Sequence, residues 1–285
     1  MKKAKRESHY VRWVRIAYAM TKAMLPKYRH RNSPKTYTQP QLVAAAMLGF
    51  YLDLSYRDLE EWLLASEAIC GALELDQVPD HATLWRAYDG LSEKQQRAFN
   101  AWLLKQQAVE TNAVAVDATG FSPTHASQHY ISRCGRQMTT YRKGFYIVDV
   151  NSQYVLGWRE AKGPGGSDAQ YLDGLRRQAY PYAQKVKRHY FLALLADKGF
   201  DGLQARATDF IRPRRGQHPI RRPDRRIRAD LTDMAHLDGF MGQRWVIETV
   251  ISVMKRKSGD SIRSRRRQPQ RREIGMKALI YNIHR

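Results

Sequence analysis

Two aspartates and one glutamate stand where carboxylates could hold divalent metal ions. Asp117 follows the run Ala113-Val114-Ala115-Val116, and Asp197 follows Phe191-Leu192-Ala193-Leu194-Leu195-Ala196. Such nearly continuous apolar runs read as strands buried on both faces, and open α/β sheets put their active sites at strand ends. Each aspartate is followed within three residues by a glycine, Gly120 or Gly199, which lets the chain turn and lets backbone approach a ligand. A strand-end aspartate can also do no more than cap a loop.

The third acid, Glu248, lies in a helical stretch that opens at Gly242 and stops at Gly259, a suitable C-cap. Ile247, Val250, Ile251 and Met254 follow the i, i+3, i+4, i+7 rule for a buried stripe. At 3.6 residues per turn, Arg244, Glu248 and Lys255 fall within about 40° of one another. That polar row borders the stripe, so Glu248 is expected at the edge of the core, facing the sheet. Taken alone, Arg244 and Glu248 would equally make an i, i+4 pair on a solvated helix, worth a few tenths of a kcal/mol. Three carboxylates brought together repel and raise one another's pKa unless cations occupy the site. Oxygen ligands suit Mg²⁺ or Mn²⁺, and two such ions about 4 Å apart can drive in-line displacement at phosphorus.

The elements that must position these acids follow from the pattern around them. Strands are expected at Ala113–Val116, Phe145–Val150 and Tyr154–Glu160, the last two joined by a turn at Asn151-Ser152. A loop at Gly163-Pro164-Gly165-Gly166 precedes a helix from Asp168 to about Tyr180, and a fourth strand runs from Tyr190 to Ala196. This order gives an α/β layout with a mixed sheet. Upstream, from Tyr37 to Gln107, the spacing is helical. Pro40 suits a first turn, Leu42, Val43, Ala46, Met47 and Phe50 recur at helix spacing, and Ser55, Asp80 and Ser92 are N-cap candidates. Short helices in a basic protein fit a helix-turn-helix unit, with Pro79–Arg86 as its reading helix and Arg86 as a DNA contact. A plain bundle for packing or dimerisation explains the same pattern.

Charge narrows the partner. Among 285 residues, 49 Lys and Arg face 27 Asp and Glu, a formal net charge of +22. Such a charge calls for a polyanion, and nucleic acid is the usual one because each neutralised phosphate releases counterions. A ribosomal or membrane-surface protein could carry a similar balance. Residues 1–35 hold eleven Lys or Arg against Glu7, with Tyr10, Trp13, Tyr18 and Tyr28 interleaved. This reads as an arm on DNA or as a solvated tail. Arg212, Arg214, Arg215, Arg221, Arg222, Arg225, Arg226 and Arg228 lie between the second and third acids, and Arg263, Arg265, Arg266, Arg267, Arg271 and Arg272 follow the third. Both sets suit a phosphate-tracking surface. Cys70 and Cys134 form no CxxC pair, and His125 with His129 lacks an evident third ligand. The apolar stretch Leu42–Leu52 is far short of the roughly 20 residues of a spanning helix. The start has no secretory h-region, so a soluble cytoplasmic protein is expected.

In order and setting, these residues resemble the DDE transposases of bacterial insertion sequences, of the IS4 and IS5 type. Arg244-x3-Glu248-x6-Lys255 matches that family's Tyr-x2-Arg-x3-Glu-x6-Lys pattern except at the Tyr position, which is Met241. Val116-Asp117-Ala118-Thr119-Gly120 and Ala196-Asp197-Lys198-Gly199-Phe200-Asp201 are similar to its two aspartate motifs. The resemblance implies an RNase H-like catalytic domain with a mixed five-stranded sheet flanked by helices, preceded by an all-α domain. The boundaries are then a basic arm at 1–36, a helical DNA-binding domain at 37–108 and the catalytic domain at 109–285. It further implies Asp117, Asp197 and Glu248 as catalytic metal ligands for two Mg²⁺ or Mn²⁺ ions. Arg244, Lys255, Lys198, Arg214 and Arg215 would hold phosphates. Double-stranded DNA is the expected partner, engaged by a homodimer, with no membrane and no small-molecule cofactor, at the nucleoid of a prokaryotic cytoplasm. A structure-specific nuclease of the same fold, or a transposase-derived protein that only binds DNA, would carry much of the same sequence.

Overall fold

A computed structural model of the chain describes residues 7–123, 141–163, 165–186, 189–213 and 222–285. His125, His129, Arg214, Arg215 and Arg221 lie outside the described residues. The chain forms two compact units, Met1–Leu103 with Leu279–Arg285, and Leu104–Ala278.

The first unit is helical, with α1 (His9–Met24), α2 (Gln39–Tyr51), α3 (Tyr56–Leu64), α4 (Glu67–Ala72), α5 (His81–Asp89) and most of α6 (Glu93–Gln106). Apolar residues surround α2, so it is buried on all sides. Its entry is a capping box in which Thr38 accepts from the Gln41 N–H and the Gln41 side chain accepts from the Thr38 N–H. Ser55 caps α3 and Asp80 caps α5, as their residue types suggest. The basic N-terminal stretch differs from an arm or tail over residues 9–24. There α1 buries Val11, Trp13, Val14, Ala17 and Met20, and Trp13 stacks on Tyr51 with ring centroids 4.7 Å apart. Trp13 and Tyr18 are therefore core residues of a folded helix, whereas Tyr10 is exposed on it and Tyr28 lies beyond its end. On α5, Trp85 and Arg86 are exposed while Leu84 and Tyr88 are buried.

The second unit is built on a mixed sheet in the order β3-β2-β1-β6-β7, with β8 also pairing to β1. The strands are β1 (Ala113–Pro123), β2 (Tyr141–Asp149), β3 (Val155–Gly163), β6 (Ala193–Ala196), β7 (Phe210–Ile211) and β8 (Ser261–Ile262). The sheet thus has six strands rather than five, because the short β8 adds to the far end of β1. β1, β2 and β3 run antiparallel, whereas β6 is parallel to β1 and β7 to β6. The single run expected from Tyr190 to Ala196 is two strands. β5 (His189–Phe191) pairs with β4 (Gln184–Val186) in a separate ribbon, and only Ala193–Ala196 enters the main sheet.

Alternation along β1 sends Val114 and Val116 into a core with Phe145, Ile147, Leu156, Leu172, Leu175 and Leu194. That face is covered by α7 (Leu172–Ala179). Ala115, Asp117, Thr119 and Phe121 take the other face by the same alternation. There α9 (Trp245–Ser258) packs on β1, and Tyr146, paired with Asp117, reaches the Ile274 carbonyl of α10 (Arg267–His284).

Candidate active site

Asp117 does not end its strand. β1 continues for six residues beyond it, held by β2 in the register Asp117↔Tyr146 and Thr119↔Gly144. What ends near Asp117 is the parallel pairing with β6, whose last pair is Val116↔Ala196. The residue after each member of that pair is an aspartate, so Asp117, still within β1, and Asp197, just past the end of β6, occupy corresponding positions on adjacent chain segments. The apolar segments that precede them are inner strands of the sheet, and the register Val116↔Ala196 sets the two acids level.

Glu248 comes from α9, where Val246, Ile247, Val250, Ile251 and Met254 form the buried stripe. Its side chain is 55% exposed and its carboxylate is held by Arg244, Nη2 to Oε1 2.7 Å. α9 is fixed against β1 at its far end. The Lys255 ammonium donates to the Gly120 carbonyl at 3.1 Å and lies 5.2 Å from the Phe121 ring centroid. Lys277, buried on α10, donates to the carbonyls of Ser258 and Gly259 where α9 ends. A groove of about 620 Å³ remains between the two elements, lined by Asp117, Thr119, Glu248, Ser252, Lys255 and Arg256 among others.

The acids are electrically coupled. Burial pushes the Asp117 carboxyl above the usual carboxylate range; the Ala118 N–H and Arg244 pull it back, and Glu248 and Asp197 push it up again. The Ala118 N–H donates to Asp117 Oδ1 at 2.7 Å, and the Lys198 N–H to Asp197 Oδ1 at 2.7 Å. The other carboxylate oxygen of each aspartate accepts no hydrogen bond from the described residues. Hard oxygen donors, and open carboxylate oxygens on Asp117 and Asp197, suit a divalent cation of the Mg²⁺ or Mn²⁺ class. Among the described residues, no three His, Cys, Asp or Glu side chains are gathered closely enough to ligate one ion. Glu248 is turned onto Arg244.

Residues 110–283 match the family described as the transposase DDE domain, a span that takes in all three acids. The chain belongs to this family. A search of curated proteins gave no match. A solved structure, a cryo-electron-microscopy synaptic complex of piggyBac transposase with hairpin DNA, is similar at 10% identity and a TM-score of 0.42. It covers 97% of this chain and 72% of that one, a likeness too slight to carry an argument.

Several expected DNA contacts take other positions. Arg228 is fully buried, donating to Asp201 and to the carbonyls of Ala205 and Arg206. Arg225 also pairs with Asp201. These two arginines hold the loop that follows Asp197 to α8 (Pro223–Leu237), so they are structural. Charge runs do not reveal such a role, because only the fold supplies the buried Asp201. Arg86 belongs to the first unit, and Lys198 lies beside Asp197 in a single 3₁₀ turn. Thr119, Ser252 and Arg256 line the groove although no motif singled them out. The signal for the last two was their spacing of four and eight residues from Glu248.

Proposed function

We propose that this chain is a metal-dependent transposase of the bacterial insertion-sequence kind, with Asp117, Asp197 and Glu248 as its catalytic acids on an RNase H-like fold. The observation that supports the reading is that Asp117 lies within electrostatic reach of two sequence-distant carboxylates, Asp197 just past the β6 strand paired to β1 and Glu248 on the helix packed over β1. Their order and the Arg244-x3-Glu248-x6-Lys255 pattern support the IS4 and IS5 type.

Asp117 and Asp197 would hold the metal through the oxygens that their own loops leave open, with Glu248 completing the donor set on release from Arg244. Two Mg²⁺ or Mn²⁺ ions held by these residues would supply the Lewis acidity that displacement at phosphorus requires. The chain supplies orientation. The Ala118 and Lys198 N–H groups fix the two aspartates, and Arg244 sits where it can exchange Glu248 for a DNA phosphate by its planar fork. Water would free a 3′-OH at the element's end, and that hydroxyl would then attack target double-stranded DNA, joining the strands without a covalent enzyme intermediate. Handling two ends favours a homodimer on DNA, acting at the nucleoid in the cytoplasm. No helix among the described residues is long and apolar enough to cross a membrane.

The test is cleavage and strand transfer on duplex DNA carrying the sequences that flank this reading frame, with and without Mg²⁺. Asp117→Asn, Asp197→Asn and Glu248→Gln should each abolish both steps while leaving DNA binding intact. Nicking that survives any one of them removes that residue from the site, and cleavage without joining would make the protein a nuclease.

A further inference from the structure

We propose that Ser252 and Arg256 extend the Glu248 face of α9 into a track for the backbone of the DNA strand being cut, with Arg256 gripping a phosphate about two nucleotides from the reacting one. This rests on the transposase reading above and adds positions to it.

Glu248, Ser252 and Arg256 are spaced by four residues each, so they climb α9 at intervals of about 6 Å, each step turned by about 40° from the last. Consecutive phosphates of an extended strand are separated by a similar distance. All three side chains line the groove that begins at Asp117 and runs between β1 and α9 toward Gly259 and Asp260. Thr119 supplies a hydroxyl from the β1 wall opposite.

The division of labour between the neighbouring cations is the deciding point. Lys255 already uses one donor within the protein, on the Gly120 carbonyl, with its ammonium over Phe121. It sets how far α9 stands from β1, and so the width of the groove. Arg256 is exposed on the groove wall and makes no hydrogen bond or ion pair to the described residues. A guanidinium in that position offers a planar two-pronged donor to a phosphate. The Ser252 hydroxyl, between it and Glu248, can donate to the intervening phosphate. Asp260, at the far end, would turn the strand away from the protein because it repels the next phosphate.

The experiment combines a protein change with a DNA change. The probe is duplex DNA from the flanks of this reading frame, cut in Mg²⁺ by the wild type to map the scissile phosphate. Neutral methylphosphonates are then placed singly at the neighbouring phosphates. Arg256→Ala should raise KM about tenfold, the size of one charge-assisted hydrogen bond, with a smaller effect on kcat. It should also lower the salt slope of binding by about 0.9, the value for one lost phosphate contact. Arg256→Lys should restore the slope and part of the affinity. A methylphosphonate one to three positions from the scissile phosphate should weaken the wild type similarly, and weaken Arg256→Ala no further. That missing additivity is a result a merely structural arginine would not give. If the wild type cuts but Arg256→Ala keeps its KM and slope, or the two losses add at every position, this inference is overturned alone. If the wild type does not cut, the transposase reading falls and takes the inference with it.

Discussion

Replacing Arg228 with Met tests whether the loop behind Asp197 is held by a buried ion pair. Arg228 is 0% exposed and its partner Asp201 has 2% of its side chain accessible. Its guanidinium also donates to the Ala205 and Arg206 carbonyls, at 3.2 and 3.4 Å. Met fills much of the same volume without a charge, so the loss is electrostatic. It leaves Asp201 with the more exposed Arg225 and leaves two carbonyls without their donor. Breaking a buried pair from one side costs about 3–5 kcal/mol. For a folded unit of roughly 150–250 residues, each kcal/mol lowers Tm by about 2–4 °C, giving a fall of about 6–20 °C. Calorimetry can follow the unfolding, and hydrogen exchange at Val114–Val116 can assign the transition to the sheet. Removing both charges, in Arg228→Met with Asp201→Leu, should recover part of the loss, because no fully buried charge is then unbalanced, although Arg225 loses its Asp201 partner. The reasoning is refuted if the single change costs under about 1 kcal/mol, or if the double change loses the sum of the two singles.

Asp117 gives a pH prediction. Its folded pKa is raised by burial, so its ionised form is disfavoured in the folded state and its stabilising effect is lost as pH rises through that pKa. Without metal, Asp117→Asn should therefore melt above the wild type near pH 7.5, and the gap should close below about pH 3.9. Added Mg²⁺ should raise the melting temperature of the wild type more than that of Asp117→Asn; equal responses would remove Asp117 from the metal site. Lys277→Met should cost about 1–3 kcal/mol in denaturant titrations by stranding the Ser258 and Gly259 carbonyls, and it should slow cleavage because the end of α9 loosens. Trp13→Ala should cost about 3–5 kcal/mol and open α1 to proteolysis, whereas an arm on DNA would show no change in the free protein.

Much of the site was legible because local chemistry fixed it. The apolar runs before Asp117 and Asp197 had to be inner strands, and the stripe Ile247, Val250, Ile251 and Met254 had to be the buried face of a helix; these four are buried. Capping residues such as Ser55 and Asp80 marked helix starts because their short side chains satisfy N–H groups in the first turn. Where the pattern misled, a tertiary partner overrode it. β1 runs past Asp117 because β2 and β8 pair with its polar half. Residues 190–196 divide between two sheets because β4 offers a second edge. The basic N-terminal stretch folds because Tyr51 and its neighbours give Trp13 somewhere to be buried.

By itself, then, the sequence determined which residue types stand in which order: two acids after apolar runs, then an acid within an Arg-x3-Glu-x6-Lys helix. It also set the large positive charge that asks for a polyanion. Those properties live within a few residues along the chain, where propensity, alternation and helical period act. Only the tertiary structure decided that Val116 and Ala196 are paired, which sets the two aspartates level. It likewise decided that Arg228 is a buried strut and that Lys255 is bonded to Gly120 while Arg256 faces the groove. Neighbouring cations in a sequence look alike; which one is free to meet a phosphate depends on the carbonyls and carboxylates that the fold brings within hydrogen-bond reach.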